Sequence, residues 1–163
     1  MAAYNEKSEE LTFKERVINF LTTYKNVIIA IGVIILVVLA SMTIYTTVKN
    51  NRIEESTVKA EDLQRSFDEW KTAEEGEKGE LEDSIRASAE EIISKYSGLY
   101  AAARAYMVLG RLDVEKEDWA SAEESFLAAA DSFPENYLSP VALMSAAVCR
   151  EEQGDFEGAL DLY

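Results

Sequence analysis

The residues that could do chemistry are few, and their spacing does not assemble a reaction centre. Acidic pairs such as Glu123-Glu124 and Glu151-Glu152 are of the type that binds divalent cations or transfers protons. Adjacent residues of a helix point in different directions, so each pair is predicted to lie on a solvated helix face and not in a metal site. The chain has no histidine, which removes the commonest general base and metal ligand.

The single cysteine, Cys149, also argues against chemistry. It excludes an intrachain disulfide and a multi-cysteine metal site. Its neighbours Ala146, Ala147 and Val148 are small and apolar, which predicts a buried core residue and not a reactive thiol. The sequence has no GxSxG, Walker-type loop or HExxH, and its glycines do not cluster to cradle a phosphate. It therefore predicts a protein that is not an enzyme, without catalytic residues, metal ligands or cofactor.

Charge is distributed unevenly along the chain. The 163 residues include 31 acidic and 16 basic side chains, for a net charge of −15. Residues 1–25 hold four of each sign, and no charged side chain lies between Lys25 and Lys49. The whole net charge therefore belongs to the part beyond residue 48. Such a domain repels phosphate backbones, which argues against nucleic acid as a partner.

The uncharged segment Asn26–Val48 predicts a transmembrane helix. Its central stretch reads VIIAIGVIILVVLASMTIY. At about 1.5 Å per residue the segment is about 34 Å long, enough to cross the hydrocarbon core of a bilayer. A helix bonds its backbone groups internally, as a lipid-facing span must. The lipid bilayer is therefore a predicted partner through residues 26–48.

A cleaved signal peptide is the alternative, because Val38-Leu39-Ala40 offers small residues at a cleavage position. The long leading segment, its four acidic residues and the apolar block beyond Ala40 favour an uncleaved anchor. Orientation stays open, because each flank of the segment carries four basic residues. They are Lys7, Lys14, Arg16 and Lys25 on one side, and Lys49, Arg52, Lys59 and Arg65 on the other.

The tail over residues 1–25 contains an amphipathic stretch with an apolar face at helical spacing. Its members are Phe13, Val17, Phe20, Leu21 and Tyr24. Two interpretations stay open: a short helix that lies in the headgroup layer, or the solvated start of the membrane helix.

Beyond the membrane segment the periodicity predicts helices almost throughout. Two apolar stripes step by three and four residues, which is the spacing of one helix face. The first is Ala60, Leu63, Phe67 and Trp70, and the second is Leu81, Ile85, Ala89, Ile92 and Tyr96. The membrane helix is expected to continue into the first stripe, because no glycine or proline intervenes. The stretch EEGEKGE at 74–80 predicts a flexible charged loop, and Asp118 and Asp155 predict the N-caps of later helices.

A repeat with a period of 37 residues occupies the last third of the chain. The first copy is Asp118, Trp119, Ala122, Phe126, Ala129 and Pro134, and the second is Asp155, Phe156, Ala159 and Tyr163. Small residues and an aromatic at this spacing let two helices interlock as a hairpin, and such hairpins stack into a solenoid. A solenoid exposes a long surface, so the pattern favours binding over catalysis.

This pattern resembles the tetratricopeptide repeat over residues 103–163, and more weakly over 60–98. The residues that carry the resemblance and are expected to pack the repeats are Tyr106, Leu109, Gly110, Trp119, Ala122, Phe126, Ala129 and Pro134, followed by Phe156, Ala159 and Tyr163. Leu143, Ala146, Ala147 and Gly154 occupy further positions of the second copy. Asp113 stands where the family has an aromatic, a departure expected to loosen the contact between the two helices of the hairpin.

The predicted organisation is all-α: a single N-terminal transmembrane helix followed by a tetratricopeptide-like α-solenoid. Its parts are the tail over 1–25, the membrane helix over 26–48, a connecting helix and charged loop over 49–80, and repeats over 81–163. The repeats are expected to continue beyond Tyr163, or to be capped by a partner, because a solenoid needs a further helix to cover its last edge.

The layout, together with the local sequence Gly98-Leu99-Tyr100-Ala101-Ala102-Ala103-Arg104, is similar to the bacterial YfgM-like family. That resemblance implies a single-pass protein of the bacterial inner membrane with a cytoplasmic N-terminus and a periplasmic repeat domain. It also implies partners at the SecYEG translocon, or a membrane-anchored chaperone such as PpiD. The alternative is a structural subunit of another envelope assembly, such as an outer-membrane assembly or motility machine.

The tetratricopeptide resemblance also implies a binding groove, because the first helix of each hairpin usually lines the concave face. The groove residues would be Arg104, Met107, Arg111, Met144 and Val148. Arginines would attract carboxylate or carbonyl groups, and methionines adapt to varied apolar side chains. The asparagine-and-lysine clamp of chaperone-tail-binding members is not matched, because Arg111 and Val148 stand where its asparagine would be. The other interpretation is that these residues only pack against a neighbouring hairpin.

Overall fold

The computed structural model describes residues 13–163, with side chains from Glu15 onward. That part of the chain is all-α, as predicted, with seven helices and no strand. The helices are α1 Phe13–Thr23, α2 Lys25–Thr72, α3 Glu75–Lys95, α4 Tyr100–Glu115, α5 Trp119–Ser132, α6 Leu138–Glu152 and α7 Phe156–Leu160. These residues divide into two units, the first up to Val48 and the second Lys49–Tyr163.

The first unit contains α1 and the apolar half of α2, a helix long and apolar enough to cross a membrane. Its large side chains are exposed along the whole segment, for example Leu36 at 67% and Val38 at 58%. Two of its hydroxyls bond backwards to backbone carbonyls, Ser41 to Val37 at 2.8 Å and Thr43 to Leu39 at 2.9 Å. Such bonds satisfy these hydroxyls without water, which suits a helix surrounded by lipid.

The second unit is built from packed helices, and its first core joins the 49–72 part of α2 to α3 and α4. Both predicted apolar stripes are buried there, with Leu81 only partly so. Ala101, Ala105, Val108 and Leu112 of α4 complete this core. The stripe of α2 therefore packs against the following helices.

The second core lies among α4, α5 and α6 and is centred on Phe126, which is 3% exposed. Alanines surround it, so the helix backbones approach closely. Gly110 of α4 faces the ring, and a Cβ added there would lie 2.6 Å from Phe126 Cε1. The absence of a side chain at residue 110 therefore makes room for the aromatic that joins α4 to α5.

The expected loop at 74–80 is wrong, because α3 begins at Glu75. Glu75 and Glu77 lie in its first turn, where negative charge is favourable at the positive end of the helix dipole. Trp70 also holds this turn in place: its indole Nε1 donates to the Lys78 carbonyl at 3.1 Å, and the Lys78 ammonium lies 5.5 Å from the centre of its ring. These tertiary contacts outweigh the two glycines that make the stretch look like a loop.

The two predicted N-caps are confirmed. Asp118 accepts a hydrogen bond from the Ser121 backbone at 3.2 Å, and Asp155 accepts one from Gly158 at 3.0 Å. The residue before each cap has a positive φ, +58° at Glu117 and +82° at Gly154. The two turns have the same backbone conformation, but only the second has glycine at this position, the residue that adopts a positive φ without strain.

Replacing Glu117 with glycine is therefore expected to stabilise the second unit by up to about 1 kcal/mol, because strain relief exceeds the extra chain entropy. The matched variant Gly154→Ala should destabilise it by a similar amount. Urea unfolding of the detergent-solubilised protein, followed by circular dichroism, measures both. A loss of stability in Glu117→Gly would contradict the strained turn.

Asp113 was expected to loosen the contact between the two helices of the hairpin, but it forms a buried ion pair instead. It is 3% exposed, and its Oδ1 accepts a hydrogen bond from Arg86 Nη2 of α3 at 2.5 Å. Arg86 also contacts Glu82 at 3.0 Å, and Lys116 contacts the same carboxylate at 2.6 Å. Burial raises the pKa of Glu82, but these two cations outweigh it and leave that pKa below its ordinary value. A charge network thus replaces the aromatic contact of the family.

The same contact recurs in the next pair of helices with its charges exchanged. Glu123 of α5 accepts from Arg150 Nε of α6 at 2.6 Å. Glu123 and Arg150 each lie 37 residues after Arg86 and Asp113. The predicted solvated face is therefore wrong for Glu123, which is half-buried, whereas Glu124 is exposed as predicted. The α3–α4 and α5–α6 interfaces therefore share an ion pair at equivalent positions of the repeat.

Candidate functional site

The groove residues lie on two helices, with Arg104, Met107 and Arg111 on α4, and Met144 and Val148 on α6. Two concavities lie beside helices α4 and α6 and the 49–72 part of α2, and both are lined by Arg111. Arg104 and Met107 also line one of them, and Val148 lines the other. Met144 is 58% exposed and is not among the residues that line either concavity.

The first concavity is polar and has a volume of about 370 Å³. Its lining residues are Gln64, Tyr100, Arg104, Met107, Arg111, Tyr137 and Leu138. The hydroxyls of Tyr100 and Tyr137 form a hydrogen bond with each other. Burial, and then that bond, raise the pKa of Tyr100 to about 12, so its hydroxyl is neutral at neutral pH.

The second concavity is mostly apolar and has a volume of about 280 Å³. Its apolar walls come from four helices of the second unit. They are Phe67 of α2, Val114 of α4, Trp119 and Phe126 of α5, and Val148 and Cys149 of α6. A space of this size, open on one side and apolar within, can receive one large aliphatic or aromatic side chain.

The cations of the groove differ in how far they are neutralised. Lys71, at the edge of the apolar concavity, is paired with Glu115 at 3.3 Å. Within the described part of the chain neither Arg104 nor Arg111 forms an ion pair, and the Arg111 contact with Gln64 is long at 3.4 Å. The polar concavity therefore carries two guanidinium groups free to bind carboxylates on an otherwise acidic domain.

Met107 has a different place from the one expected of a groove methionine. It is 4% exposed and belongs to the second core, so only one edge of it reaches the polar concavity. The adaptable apolar surface of the groove is therefore provided by the exposed Val148 and, beyond the concavities, by Met144.

The residues expected to pack the repeats fall into two groups. Eight lie in or against the cores: Tyr106, Leu109, Gly110, Trp119, Ala122, Phe126, Ala129 and Ala159. Three are exposed instead: Pro134, Phe156 and Tyr163. Pro134 lies in the loop after α5, whereas Phe156 and Tyr163 lie at α7, where no described helix covers them.

The sequence interpretation missed Gln64, Lys71, Tyr100 and Tyr137 as groove residues. The 37-residue period contains a signal for the tyrosines, because Tyr100 and Tyr137 are separated by that interval and come together in space, with ring centroids 6.0 Å apart. Gln64 and Lys71 had no such signal. They reach the groove only because α2 packs beside α4.

Cys149 is 1% exposed, as predicted, and burial raises the pKa of its thiol to about 11. The reactive thiolate is therefore scarce at neutral pH. Labelling with a maleimide at pH 7 is expected to be at least tenfold slower in the folded protein than in urea. Equal rates would show that Cys149 is accessible and that the second core is open.

The described residues contain no group of three or more acidic or cysteine side chains placed to hold a metal ion. The arrangement provides a surface on which a pair of guanidinium groups lies next to an apolar recess. Such a surface can bind an extended chain through its carboxylates and one large apolar side chain.

Comparison with known proteins agrees with this architecture. Residues 19–162 match the family described as tetratricopeptide repeat-like domain, whose members typically bind proteins and are not catalytic. No match was found among curated proteins or among solved structures. Because the family match extends over most of the sequence, the chain belongs to the tetratricopeptide repeat-like domain family.

Proposed function

We propose that this protein is a membrane-anchored interaction scaffold whose repeat domain docks other proteins in the groove between α2, α4 and α6. The observation that carries the proposal is the groove itself, with two unpaired arginines beside an apolar recess. The apolar half of α2 supplies the anchor, since it has the length and composition of a membrane span. Together they would hold a docking surface close to a bilayer.

The partner is a protein of the bacterial envelope, at the translocon or in a periplasmic chaperone complex. Support comes from the YfgM-like layout and from the local sequence around Tyr100. In this arrangement the N-terminus is cytoplasmic and the repeat domain periplasmic. The charge of the domain fits such a place, because its excess of acidic side chains keeps it away from anionic headgroups.

Site-specific photo-crosslinking in intact cells tests this function. A photoreactive residue at Val148, which is 46% exposed and lines the apolar recess, should capture translocon or chaperone subunits. The same residue at Glu124, exposed on α5, is the control and should not. Arg111→Ala should weaken the capture from Val148, whereas Arg65→Ala, exposed on α2, should leave it unchanged.

Each outcome of the crosslinking has a defined meaning. Capture of subunits of an outer-membrane assembly or motility machine would identify that machine, and not the translocon, as the partner. The proposal that the protein is an interaction scaffold would still hold. Equal capture from Val148 and Glu124, unaffected by Arg111→Ala, would show that the groove is not the docking surface.

A further inference from the structure

α1 is an amphipathic helix whose apolar face no other described part of its unit covers. Val17, Phe20, Leu21 and Tyr24 are between 40% and 58% exposed. At 100° per residue Val17, Phe20 and Tyr24 project within a narrow arc, with Leu21 at its edge. Asn19 lies on the opposite side, so the helix has one apolar and one polar face.

The neighbouring sequence identifies what covers this face. Tyr24 is followed at once by Lys25 and then by the 23 uncharged residues that the proposed function places in the membrane. A helix attached directly to a membrane span is held at the surface of the bilayer, where an apolar face finds lipid and not water. The rings of Phe20 and Tyr24 have centroids 4.9 Å apart. Tyrosine is enriched at membrane interfaces, and phenylalanine is common on the apolar face of interfacial helices.

The junction between α1 and α2 allows a change of direction without loss of backbone bonds. α1 ends at Thr23 and α2 begins at Lys25, with a bend at Tyr24. Tyr24 N still donates to Phe20 O at 3.0 Å, and Ile28 N donates to Tyr24 O at 2.9 Å. The Thr22 hydroxyl also donates to the Ile18 carbonyl, a bond that often bends helices. These backbone groups therefore remain satisfied where the chain approaches the apolar layer.

We propose that α1 lies in the headgroup layer, with Val17, Phe20, Leu21 and Tyr24 facing the acyl chains and Asn19 facing water. The partner is the lipid surface next to the anchor. Because residues 1–25 have equal numbers of acidic and basic side chains, the apolar face drives the contact, and zwitterionic lipid is sufficient. This inference rests on the membrane anchor of the proposed function.

Fluorophore depth in vesicles of pure phosphatidylcholine tests the inference. The full chain with Cys149→Ala is labelled at one introduced cysteine, either Val17→Cys, Asn19→Cys or Val37→Cys. The emission of the label at residue 17 should be blue-shifted relative to the label in water, and the label should lie about 5–10 Å into the interface. The label at residue 19 should be quenched by aqueous iodide several-fold more strongly than the label at 17, and the label at 37 should lie near the bilayer centre.

The three positions separate the two claims. Equal quenching at residues 17 and 19, whether both are in water or both are in lipid, overturns the interfacial helix while a deep label at residue 37 keeps the anchor. A label at residue 37 that iodide quenches as strongly as a free dye overturns the anchor, and with it both the inference and the proposed function.

Discussion

Replacing Phe126 with alanine is expected to lower the free energy of unfolding of the second unit by about 3–5 kcal/mol. The ring is 3% exposed and lies in the core among α4, α5 and α6, so its removal takes away apolar contacts and leaves a cavity. A domain with a total stability of about 5–15 kcal/mol would lose a large part of it. Urea unfolding followed by circular dichroism measures the change.

Phe156→Ala is the matched control, because Phe156 is an aromatic of the next repeat but is 67% exposed. Its replacement should cost less than about 1 kcal/mol. A loss below about 1 kcal/mol for Phe126→Ala would show that the ring does not hold the hairpins together.

Gly110 provides a second check on the same contact. Gly110→Ala alone should destabilise the domain, because the new Cβ would lie 2.6 Å from the ring of Phe126. In the Phe126→Ala background the same change should be neutral or stabilising, since the clash is gone and alanine favours the helix. Additive effects of the two changes would contradict a direct contact.

The second large effect is expected for Arg86→Ala, which should lower the free energy of unfolding of the second unit by about 2–3 kcal/mol. The Asp113 side chain is only 4% exposed, so the change leaves a buried carboxylate without its ion pair. The loss falls below the range for fully buried pairs because Arg86 is itself 35% exposed, and water can enter when it is removed. Urea unfolding at neutral pH gives the value.

Lys59→Ala is the control for that loss. Lys59 is about as exposed as Arg86 and forms an ion pair of similar length, 2.8 Å, with Glu91, but the Glu91 carboxylate is 55% exposed. The expected cost is below about 1 kcal/mol. The double variant Arg86→Asp with Asp113→Arg copies the charge order of Glu123 and Arg150 and should recover part of the stability lost in Arg86→Asp. Equal costs for Arg86→Ala and Lys59→Ala would contradict a structural role for the buried pair.

The sequence predicted the parts of this fold that local patterns determine. Apolar stripes at helical spacing identify the buried faces of α2 and α3, and an aspartate before a helix identifies each N-cap, because both depend on residues close in the chain. The loop at 74–80 was misjudged because the contact of Trp70 with Lys78, which favours the helix, depends on tertiary packing.

Asp113 and the groove show the limit of a family pattern. A carboxylate in place of an aromatic suggests a weakened contact only while Arg86, 27 residues away, is unknown as its partner. The groove arginines were named from the resemblance, but the apolar recess beside Arg111 forms only when four helices have packed together. Binding surfaces of this kind are therefore less visible in sequence than the cores that support them.

Protease accessibility in spheroplasts tests the central claim most directly, that the repeat domain is held by its anchor on the periplasmic side of the inner membrane. Protease added to intact spheroplasts should remove the epitopes of residues 100–160 while a cytoplasmic marker protein survives. Epitopes that stay protected until the membrane is lysed would contradict the account, because the groove would then face the cytoplasm. Epitopes found in the soluble fraction without lysis would show that residues 26–48 do not anchor the chain.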